Sequence, residues 1–175
     1  MDPRYPIGKY SPAEFSEIEK QKRIKIIEFL PNDVELAVQN FDTSQYETAY
    51  RDGGWTVKQL IHHIADSHMN AYIRFKLGLT ENNPTIKPYN EASWANLEDT
   101  NSTEINVSLT LLHALHKRWV NLLYSIANED LISKSVIHPD HNKQMTLWFL
   151  LGMYAWHSQH HLAHITTLKE NKGWK

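Results

Sequence analysis

Apolar residues recur with a helical period along four stretches of the chain. The first runs from about Ala13 to Phe41, with Ile24, Ile27, Leu30, Val34 and Val38 on one stripe. Pro31 lies inside it, and a break or kink is expected there, because proline lacks the amide hydrogen and disfavours helix in the residue before it. A loop with Gly53 and Gly54 follows. The second helix opens at Thr56, with Gln59 placed to close a capping box. Its inner stripe is Val57, Leu60, Ile61, Ile64, His68, Ala71, Phe75 and Leu79. Between Thr80 and Thr103 lies an irregular connection with Pro84 and Pro88, of a length that in compact domains is usually functional or packed over something. The third helix covers about Thr103 to Ala127, turning Leu109, Leu112, His116, Trp119, Val120 and Leu123 inward. A turn-rich stretch from His138 to Asn142 leads to the fourth, from Leu147 to about Lys169. No strand pattern stands out. The expectation is an all-α bundle of four helices in a single domain over residues 1–175.

Composition narrows the function classes. A formal charge of −2 argues against a nucleic-acid or anionic-membrane surface, and the basic run Lys20–Arg23 is expected to decorate a solvated helix face. The longest apolar run, Leu147 to Trp156, is half of the ~20 residues a membrane span needs, and the amino end has no apolar core for a secretory signal. There is no cysteine, which removes disulfides, thiolate metal sites and a protein-borne thiol nucleophile, and suits a reducing cytoplasm.

The candidate chemistry sits in His157-Ser158-Gln159-His160-His161-Leu162-Ala163-His164. At about 100° per residue, Leu150, Tyr154, His157, His161, Ile165 and Leu168 share one narrow stripe. His164 falls beside it and His160 nearer its edge. Two pairs have the i, i+4 spacing that lets one ion reach both rings, His157 with His161 and His160 with His164. The first is more central to the inner face. His164 then becomes a candidate proton-handling partner and His160 a rim residue. On the second helix, His63 borders the inner face and His62 points about 100° away from it, so His63 is the better third ligand. A single histidine is ordinarily explained by one hydrogen bond, and His113, His116, His138 and His141 receive that reading, the last two as solvated turn residues. The six tryptophans read as packing. Arg74 can reach a cavity to bind a carboxylate or phosphate, or form a surface ion pair; Asp66 can orient an imidazole or lie outside.

The segment Gly53-Gly54-Trp55-Thr56-Val57-Lys58-Gln59-Leu60-Ile61-His62-His63-Ile64-Ala65-Asp66-Ser67-His68, together with Tyr154 to Ile165, resembles the signature of the DinB-like superfamily. Within it the chain is similar to the YfiT-type proteins, described as metal-dependent hydrolases. Tyr50-Arg51-Asp52 and Tyr72-Ile73-Arg74-Phe75-Lys76 extend the likeness, which covers roughly residues 5–174. The resemblance implies an up-down-down-up four-helix bundle, a cytoplasmic homodimer, and one divalent ion held by His63, His157 and His161. It also carries one departure: many DinB-like proteins have glutamine where this chain has His164.

Three histidines would leave the ion an open position, and an all-imidazole set suits zinc or nickel. Water bound there can reach a pKa of about 7, for hydrolysis of an ester or amide of a small molecule. The alternative is a low-molecular-weight thiol S-transferase of the bacillithiol type, in which the ion holds the cosubstrate thiolate and Arg74 or Arg118 its carboxylates. A third possibility is a non-catalytic metal-binding module, its shell closed by His160, His164 or His116.

Overall fold

The computed structural model describes residues 2–141 and 143–175, the side chain of His141 excepted, so the expectation of a solvated His141 lies outside the described residues. The elements in chain order are α1 (Glu17–Val38), α2 (Thr43–Tyr46), α3 (Val57–Thr80), α4 (Glu91–Trp94), α5 (Glu98–Ser102), α6 (Ile105–Ser125), α7 (Asn128–Ser133), β1 (Ser135–His138), β2 (Lys143–Thr146) and α8 (Leu147–Lys172). Ser16 caps α1, later than the sequence pattern suggested. The Thr56–Gln59 capping box forms as expected and fixes the start of α3. Thr146 caps α8, and Gly173 ends it with φ of 64°, a left-handed conformation open to glycine at no steric cost.

The long helices α1, α3, α6 and α8 make an up-down-down-up bundle. Cross-helix contacts set the directions. His62 meets Ser108 and His68 meets His116, so α3 and α6 run parallel. Lys169 reaches Ala37 at one end of the bundle and Trp148 reaches Ala13 at the other, so α1 and α8 run parallel. Returning from the end of α3 to a parallel α6 means crossing the full length of a 24-residue helix, about 36 Å at 1.5 Å per residue. The irregular connection after Thr80 makes that crossing and carries α4 and α5 on the way.

Three expectations differ from the structure. A strand pair exists: β1 and β2 are antiparallel, with Val136 opposite Met145, both buried. Four-residue strands are too short to leave a period-2 signal beside a turn, and their pairing is fixed by the core residues they cover. Pro31 does not break α1, which continues through it to Val38. The helical hydrogen bond it cannot make would have ended on the Ile27 carbonyl, and the His116 Nδ1–H donates to that oxygen instead at 2.6 Å. The basic run is also less solvated than expected. Lys20 Nζ is buried against the Ile126 carbonyl at 2.9 Å, and the Arg23 guanidinium lies 3.8 Å from the Trp148 ring centroid.

The core is divided. One apolar cluster gathers Ile24, Ile27, Phe75, Trp119, Leu147 and Leu151. The other gathers Leu30, Val34, Leu60, Ile64, Leu112 and Ile165. Between them lies a layer of imidazoles from three helices: His63 and His68 on α3, His116 on α6, His157 and His161 on α8. No helix among the described residues is long and apolar enough to cross a membrane.

Candidate metal centre

The capping box at Thr56 sets the phase of α3 so that His63, on its second turn, faces α8. His157 and His161, one turn apart, face it in return. One ring nitrogen from each of the three lies within 4.8 Å of the others, close enough to share an ion. His157 and His161 approach Nε2 to Nε2 at 3.0 Å. The Trp55 ring backs His63 at 4.6 Å between centroids. Burial pushes the His63 pKa down to about 4 and those of His157 and His161 well below the ordinary value, with neighbouring imidazoles adding to the effect at the latter two. All three are therefore neutral at pH 7, the form that binds metal. The Nδ1 of His161 is buried with no hydrogen-bond partner among the described residues. Converging neutral imidazoles without a carboxylate fit a borderline divalent metal cation.

A second group, His160, His161 and His164, also places three ring nitrogens within 4.8 Å. His160 and His164 face each other Nε2 to Nε2 at 3.1 Å. The expectation that His160 is a rim residue is corrected: it is buried, stacked on Trp156 at 4.5 Å and approached by Tyr5 from the amino-terminal arm. A helical wheel cannot show cover supplied by a distant segment. His164 packs under Tyr50 at 4.1 Å, and burial, with His160 and Arg51 adding to it, lowers its pKa to about 4.

Two cavities flank the trio. One of about 360 Å³ is lined by Tyr50, Arg51, Trp55, Glu91, His161 and His164. The other, about 550 Å³, is lined by Ser67, Arg74, Tyr89, Glu91, Tyr154 and His157. Arg74 reaches this second cavity, donating from Nη1 to the Tyr154 hydroxyl at 2.7 Å, while its buried Nε has no partner among the described residues. Glu91 borders both cavities, and partial burial raises its carboxyl pKa against the opposing effect of Arg74. Neither Glu91 nor Tyr89 carried any sequence signal, since both sit in the irregular connection, where no period marks an inward position.

Other expectations resolve individually. His62 is buried but satisfied, accepting from or donating to Ser108 Oγ at 2.7 Å and donating to the Thr103 carbonyl at 3.2 Å. Asp66 is hydrogen-bonded to no imidazole among the described residues; its carboxyl pKa rises to about 6 through burial and the nearby Asp99. The group that meets the His157 ring from α3 is His68, whose Nε2 lies 3.2 Å from His157 Nδ1. His138 is half-buried and lines the larger cavity rather than standing in solvent. Arg118 lies exposed near the Tyr72 ring and lines neither cavity.

The arrangement matches a known group. The family model described as the DinB superfamily fits residues 26–165. The chain belongs to the DinB superfamily. A protein of Bacillus cereus (strain AH820), named "Putative metal-dependent hydrolase", is 51% identical over 174 residues, covering 99% of each chain. A Bacillus mycoides (strain KBAB4) protein of the same name matches to the same extent. The solved structure of YfiT from Bacillus subtilis, described as "a probable metal-dependent hydrolase with an unusual four-helix bundle topology", superposes with a TM-score of 0.96 at 46% identity, covering the whole of both chains.

Proposed function

We propose that this DinB-superfamily protein is a metal-dependent hydrolase of small anionic molecules. One divalent ion, zinc or nickel, is held by His63, His157 and His161. The observation that carries the reading is the convergence of three neutral imidazoles from two helices, His63 and His161 buried and His157 half-buried, within 4.8 Å of one another, at the junction of two cavities. An ion held by these three imidazoles would supply Lewis-acid chemistry, polarising a carbonyl and lowering the pKa of water to about 7. The names of the Bacillus relatives support the same class.

The chain's own groups divide the remaining work. Arg74, held by Tyr154 and with Nε unpaired, binds the anionic part of the substrate in the larger cavity. Glu91, bordering both cavities with a raised pKa, takes the proton from the attacking water and returns it to the leaving group. His164 is a second proton-handling candidate, but its Nε2 faces His160 and its pKa near 4 makes it a weak base. The reading includes a cytoplasmic homodimer, the state that the superfamily resemblance implies.

A second reading, a low-molecular-weight thiol S-transferase, draws on Lys143 and Arg74, two cationic residues that both line the larger cavity and suit a thiol cosubstrate with carboxylates. The absence of cysteine fits it, since the sulfur arrives with the cosubstrate. A non-catalytic module is disfavoured by the two cavities beside the trio.

The test is elemental mass spectrometry of untagged protein, wild type against His161→Ala, followed by assays of carboxylated aryl esters and of thiol-plus-electrophile pairs. About one zinc or nickel per chain, lost in the variant, with ester cleavage, supports the hydrolase. Transfer of the thiol without cleavage selects the second reading. Wild type without stoichiometric metal after reconstitution overturns both.

A further inference from the structure

Two buried histidines and the half-buried His157 form a hydrogen-bonded file that ends at the candidate metal centre. His116 Nδ1 lies 2.6 Å from the Ile27 carbonyl oxygen, His116 Nε2 lies 2.9 Å from His68 Nδ1, and His68 Nε2 lies 3.2 Å from His157 Nδ1. A carbonyl can only accept, so the proton at that end must be on His116 Nδ1. A neutral imidazole has one donor and one acceptor nitrogen, so His116 Nε2 is an acceptor and His68 Nδ1 the donor to it. The same step repeated makes His68 Nε2 an acceptor and places the proton of His157 on Nδ1. His157 Nε2 is then a bare lone pair, and it is the atom that faces His161 Nε2 at 3.0 Å.

The anchor of the file is written in the sequence. The Ile27 carbonyl lacks its helical partner because residue 31 is proline, so the oxygen is available to His116. The surroundings of His68 and His116 hold both rings neutral and away from solvent. His68 and His116 are buried, Trp119 packs edge-on to both at 5.5 and 5.6 Å, and no carboxylate is hydrogen-bonded to any of the three rings among the described residues. Burial lowers the pKa of His116 to about 4 and that of His68 well below its ordinary value.

We propose that His68 and His116 are positioning residues, a tautomer relay anchored on the Ile27 carbonyl that Pro31 leaves free, which fixes the proton of His157 on Nδ1 and presents its Nε2 lone pair to the ion. Histidine ligands usually donate their other ring N–H to a carboxylate, a carbonyl or water, which fixes the ring and raises its basicity. Here two imidazoles carry the carbonyl's demand for a proton across the bundle. Asp66, for which the sequence left open either this role or an outward position, is hydrogen-bonded to none of these rings among the described residues. The inference rests on the reading of His157 as a ligand, but its first test does not need the metal.

The experiment is nitrogen-15 NMR of the histidine rings in metal-free full-length protein, followed by zinc affinity from chelator competition. Wild type is expected to show His157 protonated at Nδ1 and bare at Nε2. His68→Gln is expected to keep that tautomer, because its amide oxygen can accept from His157 and its amide nitrogen donate to His116. His68→Phe preserves ring volume but not the acceptor; it is expected to lose the fixed tautomer and about tenfold to a hundredfold in zinc affinity. A wild-type His157 protonated at Nε2 overturns the relay, even if no variant folds. So does a folded His68→Phe with unchanged tautomer and affinity. If wild type shows the expected tautomer yet binds no metal, the hydrolase reading fails and the relay stands as a property of the fold.

Discussion

His157 and His161 meet through their Nε2 atoms at 3.0 Å, so without an ion the two nitrogens must share one proton between them. Adding protons to the cluster is costly: burial and neighbouring imidazoles hold His157 and His161 well below their ordinary pKa, and His63 is lowered to about 4. Metal binding competes with protons only where the ligands are protonated. Zinc affinity is expected to be nearly flat from pH 8 to about pH 5 and to fall steeply only around pH 4 and below. Chelator competition across that range checks it, and a decline already complete by pH 6 contradicts the neutral cluster.

The same shifts predict how the metal-free fold responds to acid. His63 and His116 have folded pKa values of about 4 against 6.5 unfolded. Between those values the unfolded chain binds more protons, so their contribution to stability is fully present above pH 6.5 and is lost as pH falls toward 4. A shift of this size corresponds to roughly 3 kcal/mol per group. The urea midpoint of metal-free protein is expected to drop markedly between pH 7.5 and pH 5. An unchanged midpoint would mean that these rings are solvated or paired.

Arg74 gives a prediction about substrate charge. Its Nη1 is held by Tyr154 and its buried Nε has no partner among the described residues, so the guanidinium is fixed with capacity to spare. Hydrogen bonds to charged groups contribute about 1.5–3 kcal/mol, which is roughly tenfold to a hundredfold in binding. Arg74→Met is expected to raise KM by that factor for a carboxylated ester and to leave an uncharged ester nearly unaffected. Equal losses on both substrates would remove the anion-binding role.

The helices and the convergence of the histidine trio were legible because both are periodic. His157 and His161 repeat at i, i+4 on the stripe that also carries Leu150 and Ile165, and His63 borders the matching stripe of α3. What was not legible depends on contacts between distant segments. His160 is covered by Tyr5, more than 150 positions earlier, and Glu91 enters the site from a connection without a period. Pro31 read as a helix breaker because the sequence alone does not show that His116 satisfies the carbonyl the proline leaves free. His116 was placed inward correctly, yet its role became visible only once His68 was seen between it and His157.

Gly152 offers a test of packing away from the chemistry. A Cβ there would meet the Tyr10 hydroxyl, Arg23 Nη1 at 2.6 Å and Arg23 Cζ at 2.9 Å. Arg23 cannot yield freely, since it is buried and stacked on Trp148 at 3.8 Å. Gly152→Ala is expected to cost about 1–3 kcal/mol despite the better helix propensity of alanine. For a chain of this size that corresponds to a fall of roughly 2–12 °C in Tm. A Tm at or above wild type would show that α1 and the amino-terminal arm adjust around the methyl group.

Glu91 carries the sharpest prediction about the reaction. It is the carboxylate common to both cavities, and its partial burial lifts its pKa while Arg74 opposes that rise. A general base must be ionised to accept a proton, so hydrolysis is expected to fall on the acid side as Glu91 protonates, with an apparent pKa above the ordinary 4.5. Glu91→Gln keeps the shape and removes the base. It is expected to lower kcat by about 10²- to 10⁴-fold with little change in KM, and to abolish that acid limb while metal content stays at the wild-type level. Arg74→Met should move the limb upward, because the guanidinium favours the ionised carboxylate. If Glu91→Gln retains wild-type kcat, the proton is handled elsewhere, and the His160–His164 pair becomes the place to look. If it loses metal along with activity, the carboxylate acts on the ion rather than on the proton.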